Sequence, residues 1–155
     1  MIETTKNILI VDQKVQRRDM LASRFRVQGY TPDLANDGFH AISLVENIDY
    51  KSVILVGNPY EMSAIEVATI LRDMIPKGQM QIIIVSHQSQ QEDVLEAYKI
   101  GVNEYLLYDD KIFGLLLDKI DSYSPADKLK REFLLENQLL EASESAKKID
   151  KDRSN

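Results

Sequence analysis

Short apolar runs alternate with segments of helical periodicity along the first 123 residues. Three of the runs are rich in Ile and Val and have the length of a buried strand, namely Ile8–Val11, Val53–Val56 and Ile82–Val85. Two weaker runs, Thr31–Leu34 and Glu104–Leu107, fall between and after them. Because near-continuous apolarity is typical of strands that are covered on both faces, the runs predict a parallel sheet.

The segments between these strands carry apolar residues at the three- and four-residue spacing of a helix. They predict five helices, at Val15 to Val27, Gly38 to Asn47, Ser63 to Met74, Gln91 to Ile100 and Lys111 to Tyr123. Gly29 and Gly101 follow two of them and fit helix C-caps. Pro32 lacks the N–H that a central strand needs, so its strand is predicted at a sheet edge.

The order is strand then helix, five times over. Right-handed crossovers then give an α/β, flavodoxin-like, doubly wound sheet of five parallel strands in the order 2-1-3-4-5. Ligands of such folds bind beyond the carboxyl ends of the strands, where the order reverses. Residues 1–123 are therefore predicted to form one domain with Asp12, Val56 and Ser86 at the crevice.

The composition changes after Tyr123. Ser124 as N-cap and Pro125 in the first turn predict an extra C-terminal helix over residues 124–149, with a disordered tail at 150–155. Its apolar residues repeat at alternating four- and three-residue spacing, which is the seam of a short coiled coil. The seam contains Leu135, Leu139, Ala142 and Ala146. Dimerisation and docking to another partner are both open, as are packing on the domain and a solvated helix.

Composition and charge exclude several kinds of site. The chain has 155 residues, a formal charge of −6, no cysteine and two histidines, His40 and His87, far apart in sequence. A nucleic-acid surface needs clustered basic residues, and thiol or zinc sites need cysteines or closely spaced histidines. No run approaches the ~18 apolar residues of a membrane span. We therefore expect a cytoplasmic protein with no metal, cofactor, nucleic-acid or membrane partner.

Four stretches carry a family resemblance: "NILIVDQ", "LANDGFHAISLV", "IIIVSH" and "AYKIGVNEYLLYDD". Over roughly residues 6 to 123 the chain resembles the receiver domain of two-component response regulators. The resemblance implies transfer of a phosphoryl group to an aspartate at the tip of the third strand. It also implies two acids after the first strand that hold Mg²⁺, a hydroxyl after the fourth strand and a lysine after the fifth.

Several of those roles fall on residues that cannot perform them. Asp12 and Ser86 keep the first acid and the hydroxyl, but the second acid falls on Gln13, the acceptor on Val56 and the lysine on Tyr108. A valine cannot form an acyl phosphate. The sequence thus predicts a pseudo-receiver: a non-enzymatic, phosphorylation-independent signalling or scaffold protein. Its degenerate pocket is predicted to contain Asp12, Gln13, Val56, Asn58, Ser86 and Tyr108, with the Tyr108 ring filling the vacated space.

The resemblance also implies a partner surface on the fourth helix, fifth strand and fifth helix. There we expect Tyr98, Tyr105, Tyr108 and Phe113 to contact a protein partner.

Two other functions stay open. One is a sensor for an anion or nucleotide bound near Asp12, Asn58, Ser86 and His87. The other is the N-terminal regulatory part of a larger response regulator whose output domain lies outside this chain.

Overall fold

A computed structural model describes residues 5–59, 61–88, 90–124, 138 and 140–143. Strands and helices alternate through residues 7–122. The strands are β1 (Asn7–Val11), β2 (Thr31–Ala35), β3 (Ser52–Val56), β4 (Gln81–Ser86) and β5 (Glu104–Leu107). The helices are α1 (Val15–Val27), α2 (Gly38–Asn47), α3 (Ala64–Met74), α4 (Gln91–Ile100) and α5 (Ile112–Ser122).

The five strands form one parallel sheet in the order β2-β1-β3-β4-β5. The predicted doubly wound, flavodoxin-like topology is therefore confirmed. β2 lies at an edge of the sheet, as Pro32 indicated. The order reverses between β1 and β3, so the loops after β1, β3 and β4 meet at the carboxyl edge.

Side chains of the central strands alternate between two cores. Leu9 and Leu55 belong to the core under α2, α3 and α4, while Ile10 and Ile54 belong to the core under α1 and α5. All four side chains are fully buried. Burial on both faces explains why the strands read as continuous apolar runs rather than as alternating ones.

Local capping marks where α2 and α3 begin and where α4 ends. The side chains of Asp37 and Ser63 accept hydrogen bonds from the backbone N–H groups of His40 and Glu66, at 2.8 and 3.1 Å. These bonds satisfy N–H groups that the first helical turn leaves free. At the other end of α4, Gly101 takes φ = 102°, a left-handed conformation that glycine adopts without a steric penalty.

The described part of the tail is short. Residues 138 and 140–143 are helical and exposed, and they include Ala142. The predicted seam residues Leu135, Leu139 and Ala146 lie outside the described residues. Most of the predicted tail helix, residues 124–149, and the predicted tail at 150–155 lie outside them too. Within the described ranges, no helix is long and apolar enough to cross a membrane.

Candidate functional site

The crevice at the carboxyl edge is bounded by the tips of three adjacent strands. Asp12 follows β1 directly, Val56 ends β3 and Ser86 ends β4. Val56 pairs with Val85, so the tips of β3 and β4 lie side by side. Asp12 is fully buried and Val56 is 1% exposed. The sheet register thus brings together three positions that are far apart in sequence.

Arg17, in the first turn of α1, binds the Asp12 carboxylate with two hydrogen bonds. Its Nε donates to Oδ2 at 2.6 Å, and its Nη2 donates to Oδ1 at 2.8 Å. The backbone N–H of Lys14 also donates to Oδ1, at 2.9 Å. The bonds to Asp12 raise the pKa of the Arg17 guanidinium. A charged, bidentate pair of this kind is stronger than a neutral hydrogen bond and fixes the guanidinium in orientation as well as position.

The same guanidinium reaches residues of two further loops. Arg17 Nη1 lies 2.7 Å from Nε2 of His87, which follows β4. The Tyr108 ring, after β5, lies 5.2 Å from the guanidinium carbon and 4.8 Å from the His87 ring, as measured to the ring centroids. Tyr108 is half-buried. The guanidinium therefore occupies the crevice next to Asp12, and the Tyr108 ring covers it rather than filling the space itself.

The β3 side of the crevice is apolar. Val56 packs into the core under α1 and α5, and Gly57 turns the chain with φ = 68°. A methyl group placed on Gly57 would lie 3.8 Å from Nη2 of Arg17. The guanidinium thus passes close to the loop where the resemblance places a phosphoryl acceptor.

The other predicted pocket residues shape the loops or face solvent. Ser86 Oγ donates to the Gln88 carbonyl at 2.6 Å and accepts from the Gln88 N–H at 3.1 Å. Asn58 Oδ1 accepts from the Ala64 N–H at 3.1 Å, at the beginning of α3. Gln13 is exposed. In the part of the chain that the structure describes, no group of three or more histidines and carboxylates is placed to hold a metal ion.

A cavity of about 590 Å³ adjoins the crevice between the loops that follow β3 and β4. Its walls include Asn58, Ser86 and His87 together with three carboxylates. The carboxylates are Glu66 of α3 and Asp93 and Glu96 of α4. The electrostatic potential inside the cavity therefore disfavours an anion.

The predicted partner residues separate into two groups. Tyr98 is 43% exposed, and its hydroxyl accepts a hydrogen bond from the Tyr105 N–H at 3.2 Å. Tyr105 itself is half-buried. Leu95 of α4 and Leu107 of β5, which the sequence did not single out, are also exposed, at 60% and 53%. We call Leu95, Tyr98 and Leu107 the partner face.

Phe113, which was also expected on this surface, lies on the side of α5 that faces α1. Phe113 packs against Phe25 of α1, with ring centroids 4.9 Å apart, and is half-buried at the core under α1 and α5. Because α5 has apolar residues on neighbouring positions, more than one of its sides could face the core. Packing against α1 turns the side with Phe113 inward.

Sequence reasoning also missed Arg17. Asp12, Val56, Ser86, His87 and Tyr108 were all expected near the crevice, and the structure brings them together. Arg17 gave only an indirect signal: a buried acid whose expected lysine partner is replaced by tyrosine needs another cation within reach, and α1 begins directly after it.

Comparisons with known proteins agree with this fold. Residues 8–111 match the sequence model described as the response regulator receiver domain. A CheY-like receiver domain protein from Methanospirillum hungatei superposes with a TM-score of 0.74 at 20% identity, covering 83% of this chain and 99% of that chain. TrrA from Thermotoga maritima, determined with Mg²⁺ and BeF, superposes with a TM-score of 0.69 at 26% identity, covering 77% and 100%. The beryllofluoride-activated NtrC4 receiver domain dimer gives 0.68 at 19%, covering 77% and 100%.

Proposed function

Because the chain belongs to the response regulator receiver domain family, we propose that it is a phosphorylation-independent member that signals through protein contacts. Receiver domains are modules of two-component signalling, and the chain has that fold. In this proposal the receiver is a cytoplasmic scaffold that works without a phosphoryl group, without Mg²⁺ and without enzymatic activity.

One observation supports phosphorylation independence above the others: both Asp12 oxygens are bound by Arg17. A magnesium ion requires oxygen ligands and usually one or two carboxylates. To bind here it would have to displace a bidentate guanidinium from a fully buried acid. The third-strand position offers Val56, which has no oxygen to attack phosphorus. Arg17 thus occupies the carboxylate that could bind Mg²⁺, and Val56 takes the place of the residue that would accept the phosphoryl group.

The partner face supports binding to another protein. Three large apolar side chains, Leu95, Tyr98 and Leu107, are exposed on adjacent elements. Exposed apolar side chains that lie together are typical of protein-contact surfaces. The NtrC4 receiver is a dimer by its description, and we infer that pairing is one use of the present surface. The C-terminal helix, through Leu135, Leu139, Ala142 and Ala146, is proposed as a second contact with a second copy or another protein.

The cavity beside Ser86 supports a second candidate function, a small-molecule sensor. Its volume of about 590 Å³ suits a compact ligand. The three carboxylates in its walls favour a cationic ligand, so this candidate replaces the anion or nucleotide that the sequence suggested.

Phosphorylation independence is tested by adding beryllofluoride and Mg²⁺ to the full chain and recording backbone amide spectra by NMR. We expect no saturable shift at Asp12, Gly57 or Ser86. Acetyl phosphate with Mg²⁺ should likewise leave the intact mass unchanged. TrrA, which is described with Mg²⁺ and BeF, serves as the positive control.

A matched variant tests the same residues within this chain. The triple variant Gln13→Asp, Arg17→Ala, Val56→Asp restores the second acid after β1 and the acceptor at the end of β3, and it removes the guanidinium. It is expected to respond to beryllofluoride, whereas Val56→Asp alone is not. A saturable response of the unaltered chain would contradict the proposed function.

A further inference from the structure

We propose that His87 is a pH-dependent latch on the crevice. The neutral imidazole holds the loop after β4 against Arg17, and protonation releases that loop. This inference rests on the proposed function, because it assigns the regulation of the same crevice to a proton instead of a phosphoryl group.

The contact between Arg17 and His87 defines the protonation state of the closed latch. A guanidinium has N–H donors and no acceptor. The nitrogen 2.7 Å from Arg17 Nη1 must therefore accept the hydrogen bond. Nε2 of His87 then carries a lone pair, and the ring proton is on Nδ1. The closed arrangement exists only with a neutral imidazole.

Protonation of His87 removes this bond and creates a repulsion. An imidazolium has donors on both nitrogens, so Nε2 no longer accepts. Two cations would face each other at hydrogen-bond distance. Asp12 does not screen the new charge well, since both of its oxygens already bind the guanidinium on the side away from Nη1. Histidine is the side chain that ordinarily changes charge between about pH 5 and 8.

The charged groups around His87 provide a place for the released ring. The Arg17 guanidinium of α1 opposes a positive charge on the imidazole, and the Tyr108 ring packs on the same imidazole. Glu66 of α3 and Asp93 and Glu96 of α4 line the cavity that His87 also lines. Their carboxylates attract an imidazolium. The ring thus has one partner when neutral and a different set when charged.

The loop that carries His87 connects the crevice to the partner face. It joins β4 to α4, and α4 bears Leu95 and Tyr98. Tyr105 Oη is 3.4 Å from the Gln88 carbonyl, one residue after His87, and the Tyr105 N–H donates to Tyr98. Movement of the loop would therefore be transmitted to the exposed apolar residues of α4.

The two histidines of the chain allow a matched experiment. His87→Gln keeps a neutral acceptor at every pH, and His87→Lys puts a permanent cation there. His40→Gln removes the other histidine, which is exposed on α2. NMR of the Arg17 side chain and of the amides of residues 86–100 is recorded for each full-length protein at pH 8 and pH 5, without phosphate analogues.

At pH 5 we expect the Arg17 Nη1 N–H groups to exchange at least about threefold faster in the unaltered chain than in His87→Gln, which corresponds to the net contribution of one hydrogen bond between solvent-exposed groups. At pH 8 the two proteins should agree. His87→Lys should resemble the pH 5 state at both values, and His40→Gln should behave like the unaltered chain.

Equal exchange in the unaltered chain and His87→Gln at pH 5 would overturn the latch. So would a pH response that persists in His87→Gln. The amide spectrum of residues in β1 and β3 reports whether each variant is folded. A beryllofluoride response at pH 8 would refute the proposed function while leaving the pH comparison intact, so the two failures are distinguishable.

Discussion

Asp12 and Arg17 depend on each other because the carboxylate is buried. A buried ion pair contributes little compared with apolar packing, but removal of one partner leaves a charge without compensation. Asp12 is fully buried, whereas the Arg17 side chain is 11% exposed. Removal of Arg17 should therefore cost more stability than removal of Asp12. Without Arg17 a buried carboxylate has no counter-charge, whereas without Asp12 the unpaired guanidinium lies near the surface.

Arg17→Ala is expected to lower the free energy of unfolding by about 3 kcal/mol, at the lower end for a broken buried pair because the guanidinium lies near solvent. Adding Asp12→Asn should recover most of the loss, since an amide no longer carries the stranded charge. Urea denaturation of the four proteins of this cycle measures the coupling.

Arg26→Ala is the control for a lost arginine on the same helix. Arg26 is exposed, and its replacement should change stability by less than about 0.5 kcal/mol. Equal stability of Arg17→Ala and the unaltered chain would show that the pair contributes nothing.

The crevice shows which single residues a sequence can predict. Asp12, Val56 and Ser86 follow from strand ends, because a parallel sheet places those ends together. Arg17 does not follow, because the position of a long side chain depends on its rotamer. Its guanidinium reaches Asp12, His87 and Tyr108 through four torsions that the helical pattern leaves open.

Helix α2 lies unusually close to α3 at Gly38. A methyl group on Gly38 would lie 2.6 Å from Cγ2 of Val67 and 2.8 Å from Sδ of Met62, both nearer than a contact allows. Val67 is fully buried, so it has little room to move. Gly114 in α5 is the opposite case, since such a methyl group would have no described atom within 4 Å other than those of its chain neighbours and its own helix backbone.

Gly38→Ala should therefore destabilise the domain by about 1–3 kcal/mol, the usual range for an overpacked core. Gly114→Ala should stabilise it by about 0.5 kcal/mol, because alanine loses less backbone entropy than glycine on entering a helix. Thermal or urea unfolding of both variants measures the difference. The same sign for both would show that packing between α2 and α3 does not decide the outcome at Gly38.

At the level of elements, the sequence predicted more than it did at the level of single residues. The bounds of α1, α2, α4 and β5 were predicted as they stand. Helical periodicity and capping residues depend only on nearby sequence, so the bounds that they predict are kept in the folded domain. The side to which Phe113 turns is not local, because it depends on where α1 packs.

The two edges of the sheet differ in their chemistry across the whole molecule. The amino edge holds a polar network in which the Tyr30 hydroxyl bonds to Asp121 and accepts from Lys51 at 3.2 Å. Burial lowers the pKa of Lys51 and raises that of Tyr30. Arg72 closes the same edge through bonds to the carbonyls of Gly101 and Met80. This edge secures the fold, while the carboxyl edge carries the residues proposed to act.

Molar mass by light scattering tests the assignment of the tail. The full chain is expected to be a dimer, and a chain ended at Tyr123 is expected to be a monomer, because the seam of Leu135, Leu139, Ala142 and Ala146 is removed. Circular dichroism checks that the shortened domain is folded.

If both chains are monomers, the tail does not pair with itself, and docking to another partner, packing on the domain and a solvated helix stay open. If both are dimers, the contact belongs to the domain. Leu95→Glu with Leu107→Glu, on the partner face, would then convert the shortened chain to a monomer.

The Arg17 side chain also bears on how long a signal from the crevice would last. A dissolved ion or a phosphoryl group comes and goes, so its occupancy depends on supply and its lifetime sets how long a signal lasts. A guanidinium that is tethered five residues from its carboxylate has a local concentration that no change in the surrounding solution alters. If the proposed function holds, the crevice therefore keeps no record of a past phosphorylation event. Under the proposed function, the duration of signalling is set by how much of the protein the cell contains and by the protonation of His87, and not by the lifetime of a phosphoryl group.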